Sequence, residues 1–163
     1  KFNLPPNKNV TVTYELFANI SSMKIYFAAA IRGGRDETDI YNKIITYLSS
    51  KAEVLTEHVG SSKLTTIGEA NRSDGEIFLR DMEWIQSADL VIAEVTTPSL
   101  GVGYELGIAE KLKIPVLCLS RLQKGKQLSA MIGGNKKFKC QTYKTLYEAK
   151  RHINNFLKQE QKA

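Results

Sequence analysis

The sequence contains only two cysteines, one tryptophan and no long apolar run. Cys118 and Cys140 fall in predicted strands without metal-ligand spacing, so we interpret them as free thiols in a reducing compartment. No apolar stretch approaches the length of a membrane span, and no membrane partner is predicted. What is present, 42% hydrophobic and 25% charged residues in 163, is typical of one globular domain with a sizeable core.

The chain also lacks a concentrated patch of basic charge. Its net charge of +6 permits attraction to anions, nucleotides included. The lysines are nevertheless scattered over predicted helix faces and loops, without the interleaved aromatic residues of a nucleic-acid platform. We therefore favour a solvated basic surface and predict no nucleic-acid partner.

The most informative stretch runs from residue 88 to residue 107. An apolar, β-branched run at 90–95 predicts a buried strand, a small-residue turn follows at 99–103, and a helix is predicted over 104–112. Ser99 and Glu105 would then lie at the carboxyl end of a strand, where open α/β sheets bind ligands. The helix N-terminus would keep Glu105 ionised, although a glutamate there often stabilises the helix and does nothing more.

Strands and helices alternate along the rest of the chain. Strands are predicted at 24–30, 53–58, 90–95, 114–119 and 138–143, with helices between them and after the last. This alternation predicts an α/β fold with a five-stranded, parallel, doubly wound sheet, strand order 2-1-3-4-5 and helices on both faces. We expect residues 23–163 to form a single domain and treat residues 1–22 as an N-terminal extension of uncertain origin.

Two further features are candidates for a site near the switch point between strands one and three. Arg32, Gly33, Gly34 and Arg35 form a loop suited to phosphate, or a tight turn with solvent-facing arginines. Asp81, on a helix opened by a capping box at 73–76, lies beside the apolar stripe, where it is either solvated or directed into a pocket.

Several segments resemble one known family. They are Tyr26-Phe27, residues 31–35, residues 55–59, Asp81, residues 88–89, residues 93–107 and residues 128–132. In this order they resemble the 2′-deoxynucleoside 5′-monophosphate N-hydrolases of the nucleoside 2-deoxyribosyltransferase superfamily. The resemblance covers about residues 24 to 143, and its most specific part is the run through Glu105.

The resemblance implies hydrolysis of a deoxynucleoside monophosphate to the free base and 2-deoxyribose 5-phosphate through a covalent glycosyl-glutamate. Glu105 resembles the nucleophile, Tyr26 the residue that orients it, and Asp81 the acid that assists the leaving base. A dry pocket would help Asp81 to hold a proton near neutral pH. No metal or other cofactor is implied, and the expected location is the cytoplasm, with the nucleus as a second compartment.

The resemblance also implies a set of substrate-binding residues, partly from a second subunit. Ser129, Ala130 and Met131 would reach the partner's site in a homodimer, although such a turn more commonly packs in the core. The residues of the same chain would be Ala29, Ala30, Ile31, Arg32, Gly33, Gly34, Arg35, His58, Ser99 and Gly101. The chain departs from the family at Ala29-Ala30, where Gly-Ser is usual, and the missing hydroxyl would remove a phosphate contact worth on the order of 1 kcal/mol.

Three alternatives remain open from the sequence. The glycosyl-enzyme could pass deoxyribose to another base, as in the transferases, or the substrate could be a ribonucleotide. A third alternative, of another class, is a nucleotide-binding sensor without turnover. The presence of Tyr26, Asp81 and Glu105 together argues against the sensor.

Overall fold

The computed structural model describes residues 23–31, 38–60, 69, 71–123 and 127–161. The predicted extension at 1–22 and the loop residues Arg32, Gly33, Gly34 and Arg35 lie outside the described residues. The elements in chain order are β1 (Lys24–Ala29), α1 (Thr38–Ser49), β2 (Glu53–Val54), a 3-10 helix (Glu57–Gly60), α2 (Asp74–Ser87), β3 (Leu90–Glu94), α3 (Leu100–Lys111), β4 (Val116–Arg121), α4 (Ala130–Gly133), β5 (Phe138–Tyr143) and α5 (Leu146–Glu160).

The five strands form one sheet in the order β2-β1-β3-β4-β5, and every neighbouring pair is parallel. This confirms the predicted doubly wound α/β fold and its strand order. In the register of β1 with β3, Ile25 lies opposite Leu90 and Ala29 lies opposite Glu94. The carboxyl ends of these two central strands therefore meet at one edge, at the switch point of the sheet.

Alternate residues of β1 enter the two hydrophobic cores on opposite faces of the sheet. Ile25 and Phe27 belong to the core that the sheet forms with α1 and α5. Tyr26 and Ala28 belong to the core formed with α2 and α3. Tyr26 therefore faces the helix layer that carries both Asp81 and Glu105.

The second strand is shorter than the predicted 53–58. Backbone pairing with β1 continues only to Leu55, whose N–H donates to the Ile25 carbonyl at 3.0 Å. The Thr56 side chain then replaces the backbone, since its Oγ1 accepts from the Phe27 N–H at 2.9 Å and donates to the Phe27 carbonyl at 2.7 Å. The strand therefore ends, and His58 lies in the 3-10 helix rather than at a strand end.

Helix α3 begins at Leu100, four residues before the predicted start. Ser99 caps it, because its Oγ accepts from the Val102 N–H at 3.4 Å and its carbonyl accepts from the Gly103 N–H at 3.0 Å. Glycine has low helix propensity, so the glycines here indicated a turn, but the serine cap allows helix formation despite them. Glu105 consequently lies in the second turn of α3, one turn further from its N-terminus than predicted.

The capping box that opens α2 is confirmed. Ser73 Oγ accepts from the Glu76 N–H at 3.3 Å, and Glu76 Oε2 accepts from the Ser73 N–H at 2.8 Å. The predicted apolar stripe of α2 is less buried than expected: Ile85 is its only buried residue, whereas Phe78 is 48% exposed. Across the described ranges, no helix combines the length and the apolar character needed to cross a membrane.

Candidate active site

A cavity of about 680 Å³ opens at the carboxyl edge of the sheet, beside β1 and the start of α3. The 3-10 helix, α2 and the turn before α3 supply most of its remaining walls. Its lining residues are Tyr26, Phe27, Ala29, Ile31, Thr56, His58, Val59, Glu69, Asp74, Ile77, Phe78, Asp81, Met82, Pro98, Ser99, Leu100, Gly101, Val102, Tyr104 and Glu105. The cavity thus brings Tyr26, Asp81 and Glu105 together, as the sequence predicted.

Tyr26 and Glu105 are joined directly, although 79 positions separate them in the chain. The Tyr26 hydroxyl donates to Glu105 Oε1 at 3.0 Å, and the tyrosine is only 2% exposed. Burial, with a contribution from the Glu105 carboxylate, raises the pKa of Tyr26 well above its ordinary value. The phenol therefore stays neutral and remains a donor that fixes the orientation of the carboxylate.

The electrostatics of Glu105 differ from the prediction. Burial raises the pKa of Glu105 to about 7, while the Tyr26 hydrogen bond opposes this rise and the charge of Asp81 adds to it. The expectation that the helix N-terminus keeps Glu105 ionised is therefore wrong. The helix dipole acts within the first turn, but the helix begins earlier than predicted and Glu105 lies in the second turn. Desolvation is therefore the largest effect on the pKa of Glu105.

Asp81 projects from α2 into the cavity. Of the two orientations considered from sequence, solvated or directed into a pocket, the structure has the second. Its side chain is 20% exposed. The neighbouring Arg80 donates to Asp81 Oδ1 from Nε at 3.0 Å and from Nη2 at 2.8 Å. Within the described part of the chain, Asp81 Oδ2 accepts no hydrogen bond, and this oxygen is available to a ligand.

His58 lies beside these carboxylates in a polar wall of the cavity. Its Nε2 is 3.2 Å from Glu69 Oε1 and its ring centroid is 5.6 Å from that of Trp84. Burial, followed by the charge of Arg80, lowers the pKa of His58, and the Glu69 carboxylate partly opposes this. The imidazole is therefore neutral near pH 7 and can either donate to or accept from a ligand.

The structure divides the predicted substrate-binding residues into four groups. Ala29, Ile31, His58, Ser99 and Gly101 line the cavity. Ala30 is fully buried in the protein and is not part of the lining, whereas Arg32, Gly33, Gly34 and Arg35 lie outside the described residues. Ser129, Ala130 and Met131 do not reach the cavity of their own chain, and Met131 is 81% exposed.

Sequence reasoning missed two parts of the site. One is an exposed apolar rim, in which the Phe78 and Tyr104 rings lie 6.3 Å apart and Leu100 is 97% exposed. Its signal was present, because Phe78 precedes Asp81 by one helical turn and Tyr104 precedes Glu105 directly. The other is Glu69, an acidic residue of the polar wall, for which the sequence carries no comparable signal.

The geometry suits displacement at a carbon centre by a carboxylate. Tyr26 donates a hydrogen bond to Glu105, and Asp81 presents a second carboxyl group in the same cavity. Paired carboxyl groups of this kind carry out glycoside hydrolysis with an oxocarbenium-like transition state. Among the described residues, no group of three or more His, Cys, Asp or Glu side chains is placed to hold a metal ion.

The family model of the nucleoside 2-deoxyribosyltransferases matches residues 25–155. Over 113 residues the chain is 52% identical to the 5-hydroxymethyl-dUMP N-hydrolase of Tetraodon nigroviridis. The aligned region covers 69% of this chain and 80% of that protein. Over 114 residues it is 53% identical to the 5-hydroxymethyl-dUMP N-hydrolase of Esox lucius, with 69% and 79% covered.

A solved structure shares the fold at much lower identity. The CMP N-glycosidase BcmB of Clostridium botulinum matches with a TM-score of 0.55 and 16% identity, covering 82% of this chain and 98% of that one. The names of the close relatives confirm the predicted class, an enzyme that acts on N-glycosyl compounds. With most of its described length matched and about half of the aligned residues identical, the chain belongs to the nucleoside 2-deoxyribosyltransferase family.

Proposed function

We propose that the protein hydrolyses the N-glycosidic bond of 2′-deoxynucleoside 5′-monophosphates, and that 5-hydroxymethyl-dUMP is the first substrate to test. The products are the free base and 2-deoxyribose 5-phosphate. The observation that carries this proposal is the Tyr26–Glu105 hydrogen bond inside a cavity that Asp81 also lines. The substrate class is supported by relatives about 50% identical that are named for 5-hydroxymethyl-dUMP hydrolysis.

The reaction has two steps in this proposal. Ionised Glu105 attacks C1′ from the face opposite the base, and the C1′–N bond breaks with its electron pair leaving on the base. Asp81 donates the proton that the leaving base requires. Water, deprotonated by Asp81, then attacks C1′ and releases Glu105, so that the enzyme returns to its starting protonation state.

The phosphate is bound at the start of α3 and by the loop after β1. Ser99 lines the cavity at the N-terminus of a twelve-residue helix, a position that favours anions. Arg32 and Arg35, which lie outside the described residues, would add charged donors. Ala30 stands where serine is usual in the family and offers no hydroxyl, so backbone groups must replace the contact that this serine makes.

We also propose that two subunits form the complete enzyme. Ser129, Ala130 and Met131 would then enter the partner's cavity, which is consistent with the 81% exposure of Met131 and with the exposed rim around Leu100. The free thiols of Cys118 and Cys140 support a reducing compartment, the cytoplasm or the nucleus.

The direct test is base release, measured by chromatography, from matched substrates. The panel contains 5-hydroxymethyl-dUMP, the four common deoxynucleoside monophosphates, the corresponding ribonucleotides, and the unphosphorylated nucleosides. We expect release from deoxynucleoside monophosphates alone, and its loss in Glu105→Gln. Release mainly from nucleosides when a second base is added would instead identify a transferase, and binding without release would identify a sensor.

A further inference from the structure

Arg80, on α2, connects the groups of the polar wall without lining the cavity itself. Its Nε and Nη2 donate to Asp81 Oδ1 at 3.0 and 2.8 Å. Its Nη1 donates to Glu69 Oε2 at 2.7 Å, and Nη2 donates to Glu69 Oε1 at 2.6 Å. One guanidinium thus holds two carboxylates of the cavity wall, and the contact with Glu69 has the bidentate geometry that only arginine provides.

The guanidinium is itself fixed on its remaining sides. Its central carbon lies 4.5 Å from the centroid of the Trp84 ring, and Nη2 is 3.3 Å from His58 Nε2. The Arg80 side chain is only 15% exposed. A partly buried arginine held by an aromatic face and four short hydrogen bonds has little freedom to rotate, so it can fix the side chains that it contacts.

The hydrogen bonds from Arg80 make the two carboxylate oxygens of Asp81 different from each other. Oδ1 accepts both hydrogen bonds from Arg80, whereas Oδ2 accepts none among the described residues. Because Asp81 lines the cavity, Oδ2 is the oxygen that a ligand can reach. An aspartate without this contact would sample other side-chain rotamers and present either oxygen, or neither, to the substrate.

We propose that Arg80 is a positioning residue, which holds Asp81 with one oxygen directed at the leaving base and joins Asp81, Glu69 and His58 into a single rigid wall. This inference rests on the proposed function, in which Asp81 is the proton donor. Arg80 acts through Asp81 and does not touch the substrate.

The charge of Arg80 also bears on Glu105. The negative charge of Asp81 is one of the causes of the raised pKa of Glu105, and Arg80 offsets that charge. The titratable and charged groups that interact with Asp81 are Tyr26 from β1, His58 from the 3-10 helix, Arg80 from α2 and Glu105 from α3. Glu69 and Arg72 belong to the same cluster through Arg80 and Glu69. When both carboxyl groups are ionised, removing the cation strengthens their repulsion, so Glu105 should ionise at higher pH.

The test compares Arg80→Gln, Arg80→Lys and a control, Arg72→Gln. Arg72 also contacts Glu69, with its Nε 3.4 Å from Oε2, but it is half-exposed and does not touch Asp81. In Arg80→Gln we expect kcat to fall about tenfold or more, KM to change little, and the acidic limb of kcat/KM to move to higher pH. Arg80→Lys should not restore kcat, because one ammonium group cannot make the paired contacts. Arg72→Gln should stay within about twofold of wild type.

Equal behaviour of Arg80→Gln and Arg72→Gln in kcat and in the pH profile would overturn the inference. So would full recovery in Arg80→Lys, since a point charge would then be sufficient. Circular dichroism and Tm measured on each variant separate a loss of function from a loss of folding.

A second measurement does not depend on turnover. Arg80 lowers the pKa of His58, so Arg80→Gln should raise it in an NMR titration of the two imidazoles, with His152 as the internal control. If the wild-type protein releases no base from any nucleotide, the proposed function fails. A raised His58 pKa would still support the wall held by Arg80, and an unchanged one would overturn it.

Discussion

At the scale of single residues, Glu105 is partly buried, and in the proposed mechanism it must nevertheless be ionised to attack the reacting carbon. Burial raises its pKa to about 7, and the Tyr26 hydrogen bond limits that rise. The carboxylate is therefore a stronger base than an exposed glutamate and remains available near neutral pH. This balance makes the ionisation of Glu105 measurable both in the rate and in the stability of the fold.

The first prediction concerns the pH dependence of the rate. Because the nucleophile in the proposed mechanism is the carboxylate form, kcat/KM should fall about tenfold per pH unit below the pKa of Glu105, about 7. The measurement is kcat/KM for 5-hydroxymethyl-dUMP between pH 5 and 9. A profile that stays flat from pH 5.5 to 8 would show that ionisation of Glu105 does not limit the reaction.

The second prediction concerns stability. The folded pKa of Glu105, about 7, lies above its ordinary value of 4.5, so the folded state binds more protons between these two values. Stability from this group is complete below pH 4.5 and is lost as pH rises through 7, by an amount on the order of 3 kcal/mol. Glu105→Gln, which cannot ionise, should therefore raise Tm at pH 8 and leave it almost unchanged at pH 5.

The matched control for that comparison is Glu57→Gln. Glu57 is an exposed glutamate on the 3-10 helix, so its replacement should shift Tm little at either pH. Equal shifts for Glu105→Gln at pH 5 and pH 8 would contradict the assignment of a raised pKa to Glu105.

Individual site residues were predictable from sequence to different degrees. Glu105, Tyr26 and Asp81 could be placed because a specific motif and an alternating fold carry them to one edge of the sheet. The contacts of Arg80 with Glu69 could not, because Glu69 belongs to no described helix or strand and no motif links it to α2. The pKa of Glu105 depends on burial in three dimensions, and neither motif nor periodicity reports that.

At the scale of elements, helix α3 shows how caps decide boundaries. Its start was predicted too late because two glycines obscured the Ser99 cap. Its end is a Schellman motif, in which the Ile114 N–H donates to the Ala109 carbonyl at 3.0 Å and the Lys113 N–H donates to the Glu110 carbonyl at 3.1 Å. This motif requires a left-handed residue, and Lys113 supplies it with a φ of 60°.

The third prediction follows from that conformation. A side chain destabilises the left-handed region, so Lys113→Gly should stabilise the protein by about 0.5–1 kcal/mol, measured by denaturant or thermal unfolding. The control is Lys111→Gly, the same replacement in right-handed helical backbone, which should destabilise by a similar amount. If both variants lose stability equally, strain at Lys113 is not the reason.

Strand β2 is the other element on which sequence and structure differ. Its apolar pattern predicted a strand through residue 58, but the Thr56 side chain takes over the hydrogen bonds of Phe27 and the strand stops. A side chain that replaces backbone pairing cannot be distinguished from an ordinary strand threonine by sequence alone. The four remaining strands were predicted to within two residues, and three of them, β1, β3 and β4, are apolar along most of their length.

At the scale of the whole molecule, the proposed dimer makes the fourth prediction. If Ser129 completes the partner's site, Glu105→Gln and Ser129→Ala place their defects in the same site of a mixed dimer and leave the other site unaltered. After subunit exchange in equal amounts, about half of the dimers are mixed and each has one intact site, so activity should approach about a quarter of wild type. Activity no higher than the average of the two separate variants would place Ser129 outside the partner's site.

The central claim is that Glu105 is a nucleophile, and the stereochemistry of transfer to methanol tests it most directly. The substrate is a β-glycoside, so two successive displacements return the β configuration. With 5-hydroxymethyl-dUMP in aqueous methanol, NMR of the sugar product should show the methyl β-glycoside of 2-deoxyribose 5-phosphate. The methyl α-glycoside would mean a single displacement by solvent, and Glu105 would then be a base that activates water.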